Sequence, residues 1–276
     1  MLADYHVHTE FSDDSTYPME QVVKDAIAKS LDEICFTDHV DYGVKDDWDC
    51  GHPIRYRGAE PLANVNYPAY ADRIRQLQAR YQEQIRLKMG MEFGIQTHTI
   101  QKYEELCQKY PFDFIILSIH QVENLEFWTQ DFQEGKSQAE YNRRYYEEMR
   151  NVVKSYQGYS VLGHMDLITR YDRNGIYPFE KVEPIVTEIL KTVIENGKGI
   201  EFNTSCHRYG LNDTTPSTDI LKRYRALGGD IITIGSDSHS PEHLGTYIAD
   251  AKQQLKALGF RFFCTYDELR PVHHCL

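Results

Sequence analysis

The chain of 276 residues is 41% hydrophobic, an ordinary composition for a soluble globular enzyme, and can bury a large core as one barrel or two smaller domains. Its formal net charge of -12 argues against a protein that holds nucleic acid by spread positive charge, since phosphate contacts need clusters of Lys and Arg. The N-terminus has no basic region followed by an apolar core, and no apolar run approaches about 18 residues, so neither export nor a membrane span is indicated and a cytoplasmic location is expected.

Asp4-Tyr5-His6-Val7-His8 reads as a first β-strand, and its alternation sends His6 and His8 to one face, where two neutral imidazole nitrogens can grip one cation. After a polar loop over 9–16, Pro18 suits an early helical position before Val22, Val23, Ala26 and Ile27 recur at helical spacing. Ile34-Cys35-Phe36-Thr37 is a short strand ending in Asp38-His39. From 41 to about 67 the rhythm breaks on Gly43, Gly51, Pro53, Gly58 and Pro61, and a connection this long is expected to be a lid insertion.

A helix over 69–84 leads into an alternating strand over 85–92, then a helix over 100–109 into a strand over 114–120 that is apolar almost throughout, as burial on both faces requires. A polar loop over 123–135 precedes a long helix over 138–156. Strands over 161–164, 199–203, 230–235 and 260–263 alternate with helices over 182–195, 218–226 and 242–258. This end-to-end alternation predicts an α/β protein with a parallel sheet, and no repeat or linker divides residues 1–276, so a single domain is expected. A barrel is preferred over an open sheet because polar residues close the strands from first to nearly last. In a barrel all those C-terminal ends converge, whereas an open sheet gathers its site at one switch point.

The strand ends carry His6, His8, His39, Glu92, His120, His164, Asp237 and His239. Imidazole and carboxylate without cysteine suit Zn(II), Mn(II) or Fe(II). The other histidines, His52, His98, His207, His243, His273 and His274, fall in loops, helices or the tail and are expected to be solvated or structural. The six cysteines form no C-x-x-C pair, which disfavours a zinc knuckle or a thioredoxin-type motif.

His6-x-His8, Thr37-Asp38-His39, Glu92, Ser118-x-His120, Gly163-His164-x-Asp166 and Asp237-Ser238-His239 together resemble the successive motifs of the polymerase and histidinol phosphatase (PHP) superfamily. The stretches 163–171 and 201–205 resemble its histidinol-phosphate phosphatase branch. The resemblance implies a distorted (β/α)7 TIM-like barrel with three divalent transition-metal ions (Zn, Fe or Mn) at the C-terminal ends of its strands, and leaves the segment near Phe260 peripheral. It implies that His6, His8, Glu92 and Asp237 hold one metal, that Glu92 bridges to a second on His120 and His164, and that His39, His239 and Asp14 hold a third; some relatives carry histidine at the Asp14 position.

The implied activity is hydrolysis of a phosphate monoester, L-histidinol phosphate, to L-histidinol and phosphate in histidine biosynthesis. Asp237 or His239 is the candidate proton donor to the leaving alcohol, and Glu92 sets the metals that activate water. Arg170 and Arg208 are the candidate phosphate clamps, since a guanidinium fork matches phosphoryl oxygens, although either could instead pair with a carboxylate such as Asp172. Asp46, Asp47, Trp48, Asp49 and Glu60 could stack on or pair with a cationic substrate. Two alternatives stand beside this expectation: a related phosphoesterase acting on nucleotides or nucleic-acid ends, and a non-catalytic metal-binding accessory domain. Oligomeric state has no signature in the sequence.

Overall fold

The computed structural model describes residues 1–276. The chain begins with β1 (Ala3–Val7), α1 (Met19–Ala28) and β2 (Glu33–Phe36), then the short strands β3 (His39–Val40), β4 (Tyr56–Arg57) and β5 (Glu60–Pro61). Helix α2 (Tyr67–Tyr81) leads to β6 (Arg86–Gly94), α3 (Ile100–Lys109) to β7 (Phe114–Ser118), and the hairpin of β8 (Gln121–Val122) and β9 (Leu125–Glu126) to α4 (Gln138–Ser155). Then follow β10 (Val161–Leu162), α5 (Glu183–Glu195), β11 (Gly199–Asn203), α6 (Thr218–Ala226), β12 (Ile232–Gly235), α7 (Ile248–Ala257), and a closing hairpin of β13 (Phe262–Asp267) and β14 (Arg270–Cys275).

Strands β1, β2, β6, β7, β10, β11 and β12 are hydrogen-bonded in that order, every pair parallel. Residues of β1, β2, β7, β11 and β12 are buried along their whole length, as a parallel sheet covered on both faces demands. The sheet closes where β12 returns to β1: His8 N donates to Ser238 O at 2.9 Å and Ser238 N to His6 O at 3.3 Å. Buried Asp4 sews the same seam, accepting from Ser236 N at 2.8 Å, Ser236 Oγ at 2.5 Å and Gly245 N at 2.9 Å. Gly235 permits the approach, because a Cβ there would collide with His6 Cβ and the Glu201 carboxylate. The architecture is therefore a distorted seven-stranded (β/α) TIM-like barrel, closed through residues flanking its functional end.

The segment over 260–263 is not an eighth barrel strand. It opens β13, which pairs antiparallel with β14 from Phe262↔Cys275 to Asp267↔Arg270. The hairpin covers the N-terminal mouth: Tyr266 N donates to Tyr5 Oη at 2.8 Å, Tyr266 Oη to Ser160 O at 3.1 Å, and Leu269 N to Asp113 O at 2.8 Å. Once β12 has met β1 no free edge remains for an eighth strand. The helix expected from 242 starts only at Ile248, because Gly245 and Tyr247 take φ of 68° and 61°, which a right-handed helix cannot continue through. The segment over 41–67 contains the β4–β5 hairpin.

Candidate metal centre

Parallel topology delivers each strand's C-terminal end to one mouth. His6 is the penultimate residue of β1 and His8 lies just beyond the strand, His39 opens β3, Glu92 lies in β6, His120 and His164 each follow their strand by two residues, and Asp237 and His239 follow β12. Glu92 sits in the middle. Its Oε1 lies 3.1 Å from His120 Nε2 and 2.7 Å from His164 Nε2, and its Oε2 lies 3.1 Å from His6 Nε2, 3.5 Å from His8 Nε2 and 3.0 Å from His39 Nδ1. Asp237 Oδ1 comes within 3.7 Å of His6 Nε2, 3.6 Å of His8 Nε2 and 3.7 Å of His239 Nδ1. Asp14, half-exposed in the loop after β1, reaches His239 Nε2 at 3.1 Å and His39 Nε2 at 3.5 Å.

The ligand atoms fall into four overlapping groups, each within 4.8 Å: His6, Glu92 and His164; His6, His8 and Asp237; His8, Asp14, His39 and His239; and His39, Asp41 and His120. His6 and His8 each fall in two of these groups, so proximity alone does not divide the donors among individual ions. The chemistry of the donors fits cations. His6 Nε2, His8 Nε2, His39 Nδ1, His164 Nδ1, His239 Nε2 and Glu92 Oε2 are buried without a hydrogen bond, although most have a partner close by. Near in distance but not aligned is how lone pairs sit when aimed at a common ion, and each such orphan otherwise costs about 1–3 kcal/mol.

Without metals the charges of these groups govern one another. Burial would lower His6 and His39, but Glu201, Glu92 and Asp237 around His6, and Asp14 and Glu92 around His39, raise both well above ordinary imidazole. Burial opposes charge on His120 too, yet Glu92 and Asp41 carry it up to about 9. His8 is lowered, by burial first and then by the charges of His239, His39 and His6. Burial would raise Glu92 and Asp237; the imidazoles, and for Asp237 also Arg170 and Arg208, hold both well below the carboxylate range.

Arg170 does not pair with Asp172, which is engaged by Tyr141 Oη at 2.5 Å. Its buried Nη2 donates to Ser205 Oγ at 2.6 Å and lies 3.3 Å from Asp237 Oδ2. Arg208 Nη2 lies 3.7 Å from the same oxygen and its Nη1 donates to Asp237 O at 3.0 Å. Both guanidiniums rest on the Tyr209 ring, at 4.1 and 4.9 Å from its centroid. Asp237 takes a φ of 56°, a left-handed conformation that turns it toward both sets of partners. The cluster forms the floor of a cavity of about 740 Å³, whose walls include Arg170, Arg208, Tyr209, Glu60, Trp128 and His243.

Of the lid residues expected near a cationic substrate, only Glu60 lines this cavity. Asp46 pairs with Arg55, Asp47 accepts from Tyr42 and Tyr67, and Trp48 borders a separate shallow pocket with Phe11. His243, expected to be solvated or structural, lies on the cavity wall. Glu201, within the strand expected over 199–203 but given no role there, stands behind two histidines: its Oε1 is 2.5 Å from His6 Nδ1 and its Oε2 accepts from His164 N at 2.9 Å. Asp41 stands 2.8 Å from His120 Nδ1 in the same manner. Carboxylates behind imidazoles fix ring orientation and tautomer, and only a strand-end position hinted at Glu201.

A sequence profile of the PHP domain matches residues 4–205. The histidinol-phosphatase of Lactococcus lactis subsp. lactis (strain IL1403) is 30% identical over 270 residues, covering 97% of this chain and 95% of that protein. The histidinol-phosphatase of Bacillus subtilis (strain 168) is 24% identical over 266 residues, covering 88% of this chain and 95% of that protein. The crystal structure of histidinol phosphate phosphatase from L. lactis, complexed with zinc, L-histidinol and phosphate, superposes with a TM-score of 0.85 at 30% identity, over 98% of each chain.

Proposed function

The chain belongs to the PHP domain family, and on that premise we infer that it is a histidinol-phosphatase, hydrolysing L-histidinol phosphate to L-histidinol and phosphate with divalent cations. The observation that carries this is the pairing of a buried imidazole–carboxylate cluster with two guanidiniums on the wall of one cavity, in a chain matched end to end by a histidinol-phosphatase. We assign the cations, three of them and Zn, Fe or Mn, to His6, His8, Asp14, His39, Glu92, His120, His164, Asp237 and His239. When bound, such ions neutralise phosphoryl oxygens and lower the pKa of a coordinated water toward neutrality.

Arg170 and Arg208 orient the phosphoryl group. In the ligand-free arrangement both spend a donor on Asp237 Oδ2, and a phosphate dianion competes for these forks with two parallel bonds per guanidinium. As they turn to the phosphate, Oδ2 is released. Asp237, ionised until then, takes the proton of the attacking water and passes it to the alkoxide as the P–O bond breaks. His239 Nδ1 is 3.0 Å from Asp237 O, which fixes the ring beside that carboxylate and makes His239 the alternative donor. Tyr209 offers its ring to both arginines and helps hold them on the cavity wall. We take the 41–67 segment as a lid insertion in a single-domain enzyme, a reading supported by its hairpin residues Arg57 and Glu60, which line the cavity.

No helix is long and apolar enough to cross a membrane, and we place the enzyme in the cytoplasm, in histidine biosynthesis. Glu60, Glu126, Asp13 and Asp41 on the cavity wall disfavour a polyanionic nucleic-acid substrate. The test is phosphate release from L-histidinol phosphate beside a panel of nucleotides and other monoesters, with metal quantified in the same preparation. Preference for a nucleotide, or no turnover by metal-replete protein, would refute the assignment.

A further inference from the structure

Lys45 belongs to no motif of the sequence, yet its side chain is only 8% exposed and sits among acids beside the site. Its Nζ lies 2.6 Å from Asp13 Oδ1 and 2.8 Å from Asp41 Oδ2. Asp41 spends its other oxygen on His120 Nδ1 at 2.8 Å, so both of its oxygens are occupied and it orients His120 rather than serving as a ligand. Gly94 clears the room for this pair, since a Cβ there would collide with Asp41 Oδ1 and His120 Nδ1. On the other side, Asp13 is the neighbour of Asp14, the one candidate ligand that is half-exposed and held in a loop rather than at a strand end.

Resting on the metal assignment above, we propose that Lys45 is a positioning residue that braces two candidate ligands at once, Asp14 through Asp13 and His120 through Asp41. Its ammonium is the only cation within ion-pair distance of Asp13 and the only Lys or Arg within that distance of Asp41. Without it, Asp13, Asp14 and Asp41 face one another with like charge, and Asp14, lacking a strand to hold it, yields first. The ion on Asp14, His39 and His239 is therefore the one whose retention depends on Lys45. The ions grouped around Glu92, His164 and His6 depend on it less, because Glu201 and the closed β1–β12 seam hold His6 and His164, and His120 keeps Asp41 at 2.8 Å from its Nδ1 when Lys45 is gone.

The test is Lys45→Met, which keeps an unbranched side chain of similar reach and removes the charge. Zinc-loaded wild type and variant are equilibrated with graded chelator, zinc per chain is measured by elemental analysis, and folding is followed by circular dichroism. The variant should release one ion at a roughly 10–100-fold lower chelator concentration, the scale of a lost ligand-orienting partner, while the rest titrate as in wild type. Excess zinc should restore kcat with KM unchanged. Unaltered zinc retention with a raised KM would overturn the proposal in favour of direct substrate contact, and parallel loss of all ions with the folded signal would overturn it in favour of a general structural role. Should Lys45→Met not fold, Asp13→Asn decides: selective loss of one ion supports the brace, and full retention rejects it. Failure of the underlying metal assignment would look different, since wild type itself would then hold no zinc.

Discussion

Removal of the Arg170 guanidinium should separate phosphate binding from metal binding. The side chain is buried, bonded to Ser205 Oγ at 2.6 Å, 3.3 Å from Asp237 Oδ2 and stacked 4.1 Å from the Tyr209 centroid, so it enters the reaction already oriented. A charged hydrogen bond to phosphate is worth about 1.5–3 kcal/mol, and at 1.36 kcal/mol per decade Arg170→Ala should lose about ten- to a hundredfold in kcat/KM. Arg208 lies farther from the shared carboxylate oxygen, at 3.7 Å, and is more exposed, at 18% against 7%, so Arg208→Ala should fall at the lower end of that range. Arg170→Lys should recover only part of the loss, because an ammonium lacks the fork. Steady-state kinetics on L-histidinol phosphate, with zinc counted in each variant, is the assay. Unaltered kcat/KM in Arg170→Ala with a crippled Arg208→Ala would move the clamp to Arg208, and two unaltered variants would refute the argument. A fall in metal content matching the fall in activity would instead mean that Arg170 acts by holding Asp237.

Wild type should carry more than one transition-metal ion per chain, and Glu92→Gln should lose metal and cut kcat by more than the roughly 10–100-fold typical of an orienting partner, because both Glu92 oxygens face imidazoles. Near wild-type kcat with full loading would show that Glu92 is not the bridge. Glu201→Gln should weaken zinc affinity by about 10–100-fold, read by chelator competition, since His6 Nδ1 loses its carboxylate; an unchanged affinity rejects Glu201 as the orienter. In metal-free protein His120 titrates at about 9 and His6 and His39 are also raised, so zinc binding near pH 7.5 should release at least one proton, measurable by calorimetry in buffers of different ionisation enthalpy. The same raised groups stabilise the metal-free fold fully below about pH 6.5, and this contribution is lost as pH rises through about 9, so the metal-free protein should melt earlier at pH 9 than at pH 7 while the zinc-loaded protein changes less. No proton release would mean that the carboxylates do not hold these rings charged.

The α/β alternation was legible because periodicity is local: helix α3 at Ile100–Lys109 and strand β11 at Gly199–Asn203 occupy the residues their patterns indicate. The residues at the mouth were legible for a related reason. In a parallel sheet each strand delivers its C-terminal end to the same side, so His6, Glu92, His164 and Asp237 could be grouped before any contact was known. Tertiary structure alone decided the rest. That Glu201 stands behind His6, 195 positions away, follows from β12 closing on β1 and bringing β11 to within one strand of the first. The pairing of Lys45 with Asp13, and of both arginines with Asp237, depends on where loops of irregular length come to rest, which no period encodes. The apolar run over 260–263 announces a strand but not its partner, and closure of the barrel through Val7 and Ser238 removed the only edge it could have joined. Hydrophobic pattern specifies which face of an element is buried; which polar groups meet across the mouth is fixed only when the ring of strands shuts, because those contacts join residues whose separation along the chain carries no physical constraint until then.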